Sequence, residues 1–105
     1  MEAEFLSWLR ARLPAHPRLH LGMGDDAAIV QLASAARCVV TSDMLNDGVD
    51  FVWDQCDGRL VGRKSLAVNL SDLAAMAAQP LAAVVSLTLP RRNALAVGQQ
   101  LYQGL

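Results

Sequence analysis

Apolar residues recur along the chain with helical spacing in some stretches and as short alternating or continuous runs in others. Phe5, Trp8, Leu9 and Leu13 share one face at helical spacing, with Glu2, Glu4, Arg10 and Arg12 off that stripe, which predicts a helix over residues 3–13. Pro14 and Pro17 stop it. After a loop, two glycines lead into two acids, and residues 27–32 read as a short strand. A turn over 33–36 leads to residues 37–43, a strand whose apolar start gives way to a polar end, and residues 49–53 alternate as a third strand. Asp57 N-caps a long helix running to about Gln79. Leu66, Leu70, Leu73 and Ala77 form its apolar stripe, and Ser65, Asn69, Asp72 and Met76 form a second face. Pro80 closes the helix, residues 81–89 are the continuous apolar run of a buried strand, and residues 91–104 form a last amphipathic helix. The order predicts an α/β (α+β) chain: helix, three short strands, long helix, strand, helix. The last helix has no strand after it, so the sequence reads as a truncated domain.

Length and composition narrow this picture. The chain has 105 residues, enough for one small domain, and 53% of them are apolar, which is a globular composition. A net charge of -1 gives no reason to expect nucleic acid or an anionic membrane as partner. The apolar stretch 66–89 is broken by Asp72 and Pro80 and is not a membrane span. The N-terminus carries acids where a signal peptide carries bases. Cys38 and Cys56 lack metal-type spacing, and reduced thiols fit a cytoplasmic protein.

Three acidic positions stand out: the Asp25-Asp26 pair, Asp43 and Asp72. Each lies among small or polar residues at the edge of a regular element. Converging carboxylates repel unless cations sit between them, and magnesium prefers such hard oxygen ligands. Thr41 and Ser42 offer neutral oxygens beside Asp43. The same residues also admit ordinary roles, Gly-Asp-Asp as a turn and Asp72 as a solvated helix position. Spacing alone leaves both readings open. There is no P-loop motif, so a nucleotide would be held by other means.

Three motifs taken together decide more. GMGDDA over 22–27, VTSDML over 40–45 and LAVNLSDLAAM over 66–76 resemble, in order and spacing, the thiamine-monophosphate kinases, a family within the aminoimidazole ribonucleotide synthetase superfamily. The resemblance runs from about Leu21 to Pro90. It implies an N-terminal α/β domain with a mixed sheet and helices on one side, pairing across a homodimer into a shared barrel, followed by a C-terminal α/β domain that lies outside these residues. It implies transfer of the ATP γ-phosphoryl group to thiamine monophosphate, with several Mg2+ ions around the phosphates. Carried over by motif, Asp26, Thr41, Ser42, Asp43 and Asp72 are the implied metal ligands, and Lys64 matches an often basic position, implied to meet the nucleotide. Where many members carry a histidine that touches the thiamine phosphate, this chain has Asp50, which then becomes the implied substrate contact. The family's downstream Gly-Gly-Asp-Thr segment is missing, so these residues are not expected to turn over alone. The competing readings are another ATP-dependent member of the superfamily and a non-catalytic dimerisation module.

Overall fold

The first helix begins as its charges direct. In the computed structural model, which describes residues 1–33 and 37–105, α1 spans Glu2–Arg10 with Glu2 and Glu4 in its first turn and Arg10 in its last. This order complements the helix dipole. Phe5 and Leu9, one turn apart, are buried, and Phe5 stacks on Trp8 with ring centroids 6.1 Å apart. The guanidinium of Arg12 lies 4.4 Å from the Trp8 ring centre. The helix closes three residues earlier than its apolar stripe suggests, because the amides of Arg12 and Leu13 both turn back onto the Leu9 carbonyl ahead of Pro14.

The chain divides into two units, residues 1–38 with 81–85, and residues 39–80 with 86–105. The first unit holds α1 and a two-stranded antiparallel sheet, β1 (Leu19–Leu21) against β2 (Ile29–Val30), in which Leu19 pairs with Val30 and Leu21 with Ile29. β1 was not expected. Its three residues are too few to show an alternation, and the pairing is extended by Arg18, which exchanges bonds with Gln31 through both backbone and side chain. The Gly-Asp-Asp segment is the connection between these strands.

In the second unit α2 (Gly58–Ala75) packs on α3 (Ala94–Gly104). Asp57 caps α2 as expected, its carboxylate accepting the Arg59 amide at 2.9 Å. That bond, aided by the Arg59 charge, holds the Asp57 pKa below its usual value. The expected stripe of Leu66, Leu70, Leu73 and Ala77 is not what α2 buries. Gly58, Val61 and Gly62 are buried instead, and on α3 Ala94, Val97 and Gly98. Small residues let the two backbones approach until a Cβ on Gly62 would overlap the Leu101 carbonyl, and one on Gly104 the Arg59 carbonyl. Ser65 and Asn69 bond carbonyls of the preceding turn of their own helix.

α2 ends at Ala75, before the expected Gln79, and the reason is local. Ala77 adopts a left-handed conformation at φ 53°, its amide reaching the Ala74 carbonyl while the Ala78 amide reaches Leu73. This is a complete Schellman closure, built on alanine where glycine is preferred. Ala77→Gly is therefore expected to stabilise the protein by about 0.5–1 kcal/mol, the left-handed penalty relieved less the unfolded-state entropy added. Thermal unfolding checks it, and a lowered midpoint would contradict the closure.

The sheet departs furthest from expectation. Residues 37–45 and 81–90 form no strand, and in place of a strand over 49–53 there is a turn closed by an isolated bridge between Asp47 and Phe51, followed by a short 3-10 helix at Trp53–Gln55. The mixed sheet is thus replaced, among the described residues, by one antiparallel pair. The turn expected over 33–36 falls, from residue 34 on, outside the described residues. A strand forms only where a second strand takes its N–H and C=O groups. Among the described residues neither apolar run is part of a strand, and Val40 and Val84 are 83% and 93% exposed. No helix among the described residues is long and apolar enough to cross a membrane.

Candidate functional site

Two of the acid-bearing motifs meet on α2. Asp72 stands one turn before the helix end, exposed, and Ala75 and Met76 follow it at the spacing that shares a helix face. The segment after residue 38 passes this face, and the Thr41 hydroxyl donates to Asp72 Oδ2 at 3.2 Å across 31 residues of sequence. Around the pair opens a cleft of about 410 Å³ lined by Val39, Val40, Thr41, Asp72, Ala75 and Met76. Apolar walls thus surround one hydroxyl and one carboxylate. Sequence reasoning named the two polar residues but not the apolar ones, whose only signal was that Met76 shares the helix face of Asp72.

The remaining expected ligands are placed as follows. Ser42 and Asp43 are exposed next to Thr41, and Asp43 Oδ1 accepts the following amide, that of Met44, at 2.8 Å. Asp26 lies in the β1–β2 connection of the first unit, where its amide donates to Asp25 Oδ1 at 2.8 Å. Among the described residues no three His, Cys, Asp or Glu side chains gather closely enough to hold a metal. The structure brings Thr41 and Asp72 together and describes Asp26 in its own unit. The donor chemistry at the Thr41–Asp72 pair suits a hard divalent cation, since both atoms are oxygens and one belongs to a carboxylate open to solvent.

Lys64 and Asp50, assigned separately from the sequence, also meet. Lys64 Nζ donates to the backbone carbonyl of Asp50, while the Asp50 carboxylate accepts the Asn46 amide at 2.8 Å. The loop between is tightly folded. Gly48, at φ 80°, supplies the left-handed step of an Asp-Gly turn, its amide bonds the Phe51 carbonyl at 2.7 Å, and Asp47 Oδ1 accepts the Trp53 amide at 2.8 Å. Asp47 is a structural acceptor that sequence reasoning passed over. The Asp-Gly dipeptide was its signal.

Comparisons with known proteins identify the family of the chain. Residues 24–105 match the family model for AIR synthase related protein, N-terminal domain. A thiamine-monophosphate kinase of Rhodopirellula baltica is 38% identical over 112 aligned positions, covering 100% of this chain and 35% of its own length. One from Synechococcus elongatus is 40% identical over 99% of the chain and 30% of its own length, and one from Escherichia coli 42% identical over 69% and 22%. The chain spans about a third of the length of the first two of these relatives. No solved structure matches it.

Proposed function

We propose, because this chain belongs to the AIR synthase related proteins and carries their N-terminal domain, that it is the N-terminal part of a thiamine-monophosphate kinase. The reaction transfers the γ-phosphoryl group of ATP to the phosphate of thiamine monophosphate. The bond from the γ-phosphorus to the β–γ bridging oxygen breaks, a phosphate oxygen of the acceptor bonds to that phosphorus, and thiamine diphosphate and ADP leave. The single observation that carries the reading on this chain is the Thr41–Asp72 contact, which joins the VTSDML and LAVNLSDLAAM motifs in one cleft.

In this reading Asp72 and Thr41, with Ser42 and Asp43 beside them, hold Mg2+, and Asp26 keeps the ligand role that the motif resemblance implies for it. When bound, the cations neutralise the charge that builds on the transferring phosphoryl group. The chain's own side chains do the placing. Asp72 supplies a carboxylate from α2, and Thr41 orients it by hydrogen bonding. The exposed apolar runs around Val40 and Val84 support the companion proposal that 37–43 and 81–89 become strands in a barrel shared with a second copy, in a cytoplasmic homodimer.

The test is the full-length protein with ATP, MgCl2 and thiamine monophosphate, followed by chromatography and sedimentation. Thiamine diphosphate and ADP are expected in equal amounts, formed only with the divalent ion, by a dimeric protein. ATP binding without that product would point to a sister enzyme of the superfamily. A folded dimer that binds no ATP would be the non-catalytic module.

A further inference from the structure

The polar segment that carries Thr41, Ser42 and Asp43 is attached to α2 twice. At one point Thr41 bonds Asp72, and at the other Asp50 receives Lys64. Lys64 and Asp72 are eight residues apart on one helix, a rise of about 12 Å. Residues 41 to 50, fully extended, would reach roughly 30 Å. The excess length is taken up by the folded loop, which the Asp50 carboxylate holds closed at Asn46 and Gly48 holds closed at Phe51. The Lys64 contact thus adds a second tether to α2 beside the one at Thr41.

We propose that Lys64 and Asp50 form a clamp that positions the 41–50 segment along α2, so that Lys64 acts through the loop and not as a nucleotide contact. Three features argue for this. The Lys64 ammonium is directed at a backbone carbonyl of this chain. The Asp50 carboxylate is engaged with a backbone amide four residues earlier, and Asp50 is half-buried. Neither group then needs a ligand to explain its place. For Asp50 the clamp also gives the residue a reason that does not depend on its charge, since any side-chain oxygen at that reach would accept the Asn46 amide. What the clamp serves rests on the kinase reading, because it fixes Ser42 and Asp43 for the cation. The clamp itself does not depend on that reading.

The experiment compares Lys64→Met, Lys64→Arg, Asp50→Ala and Asp50→Asn in the full-length protein by hydrogen–deuterium exchange of the peptide covering 46–51. Lys64→Met and Asp50→Ala are expected to speed exchange there about fivefold to tenfold, while Lys64→Arg and Asp50→Asn, which keep a donor and an acceptor, stay near wild type. Mg2+ half-saturation in Lys64→Met is expected to rise severalfold with the KM for ATP unmoved. Unchanged exchange in Lys64→Met and Asp50→Ala would overturn the clamp. So would a raised KM for ATP with the loop intact, or an Asp50→Asn protein as perturbed as Asp50→Ala. If the wild type makes no thiamine diphosphate the kinase reading fails, and the exchange pattern still decides the clamp.

Discussion

Gly62→Ala is expected to destabilise the protein by about 1–2 kcal/mol, although alanine is the better helix former. Two effects oppose each other. Alanine inside a helix gains roughly 0.5–1 kcal/mol over glycine by limiting the unfolded chain. Against that, a Cβ at Gly62 would lie well inside van der Waals distance of the backbone carbonyl oxygen of Leu101, and a backbone cannot swing aside as the tip of a side chain can. Overpacking a well-filled contact costs about 1–3 kcal/mol, and here the relief requires α3 to move away from α2, uncovering Val61 and Val97. The clash therefore wins. Chemical denaturation checks it, with Ala67→Gly as the reference, an exposed position on α2 where propensity alone should cost about 1 kcal/mol. Gly104→Ala should act alike against Arg59, and the double variant should lose less than the sum, because one separation relieves both clashes. A Gly62→Ala protein as stable as wild type would mean that the helices are not in close contact.

The helices were legible because their signals are local. Asp57 before a long helical stretch, the spacing of Phe5, Trp8 and Leu9 in α1 and the amphipathic pattern over 91–104 all act within a turn or two. What burial each helix face receives was not local. Leu66, Leu70 and Leu73 look like the core of α2 in the sequence, yet the neighbour that α3 provides meets the glycines nearer the start of α2. A hydrophobic stripe states that something apolar belongs there, not which element delivers it. The same limit explains the strands. LAAVVSLTL over 81–89 carries a strand-like composition, but pairing is a property of two segments, and none within the described residues pairs with it. The end of α2 was misplaced for the opposite reason. Pro80 was a conspicuous stop, while the left-handed Ala77 that closes the helix has no sequence signal, glycine being the usual one.

For the site, the motif order was legible and the contacts were partly so. Asp72 and Thr41 were each picked out as oxygen donors, and their meeting follows from the segment after residue 38 crossing the end of α2. Lys64 and Asp50 were given separate ligands because a sequence displays side-chain chemistry and hides backbone acceptors. The partner of Lys64 is a carbonyl, which every residue has.

Asp72 is the residue on which the proposed chemistry turns, and its substitution should separate fold from function. Asp72 is exposed and its described bond comes from the Thr41 hydroxyl, so replacing it strands no buried charge and should change stability within about 0.5 kcal/mol. In the full-length protein Asp72→Ala is nevertheless expected to lower the rate of thiamine diphosphate formation at least about 100-fold, the scale seen when a group that stabilises transition-state charge is removed. Asp72→Asn is the sharper variant. It keeps the shape and an oxygen for the Thr41 hydroxyl but carries no charge. If Asp72 holds a cation, Asn fails nearly as badly as Ala, and raising MgCl2 recovers part of the rate. If Asp72 merely orders the segment through Thr41, Asn restores activity to near wild type and Thr41→Val becomes as damaging as Asp72→Ala. The charge dependence expected here follows from the lining of the cleft, where Asp72 is the one charged side chain among Val39, Val40, Thr41, Ala75 and Met76.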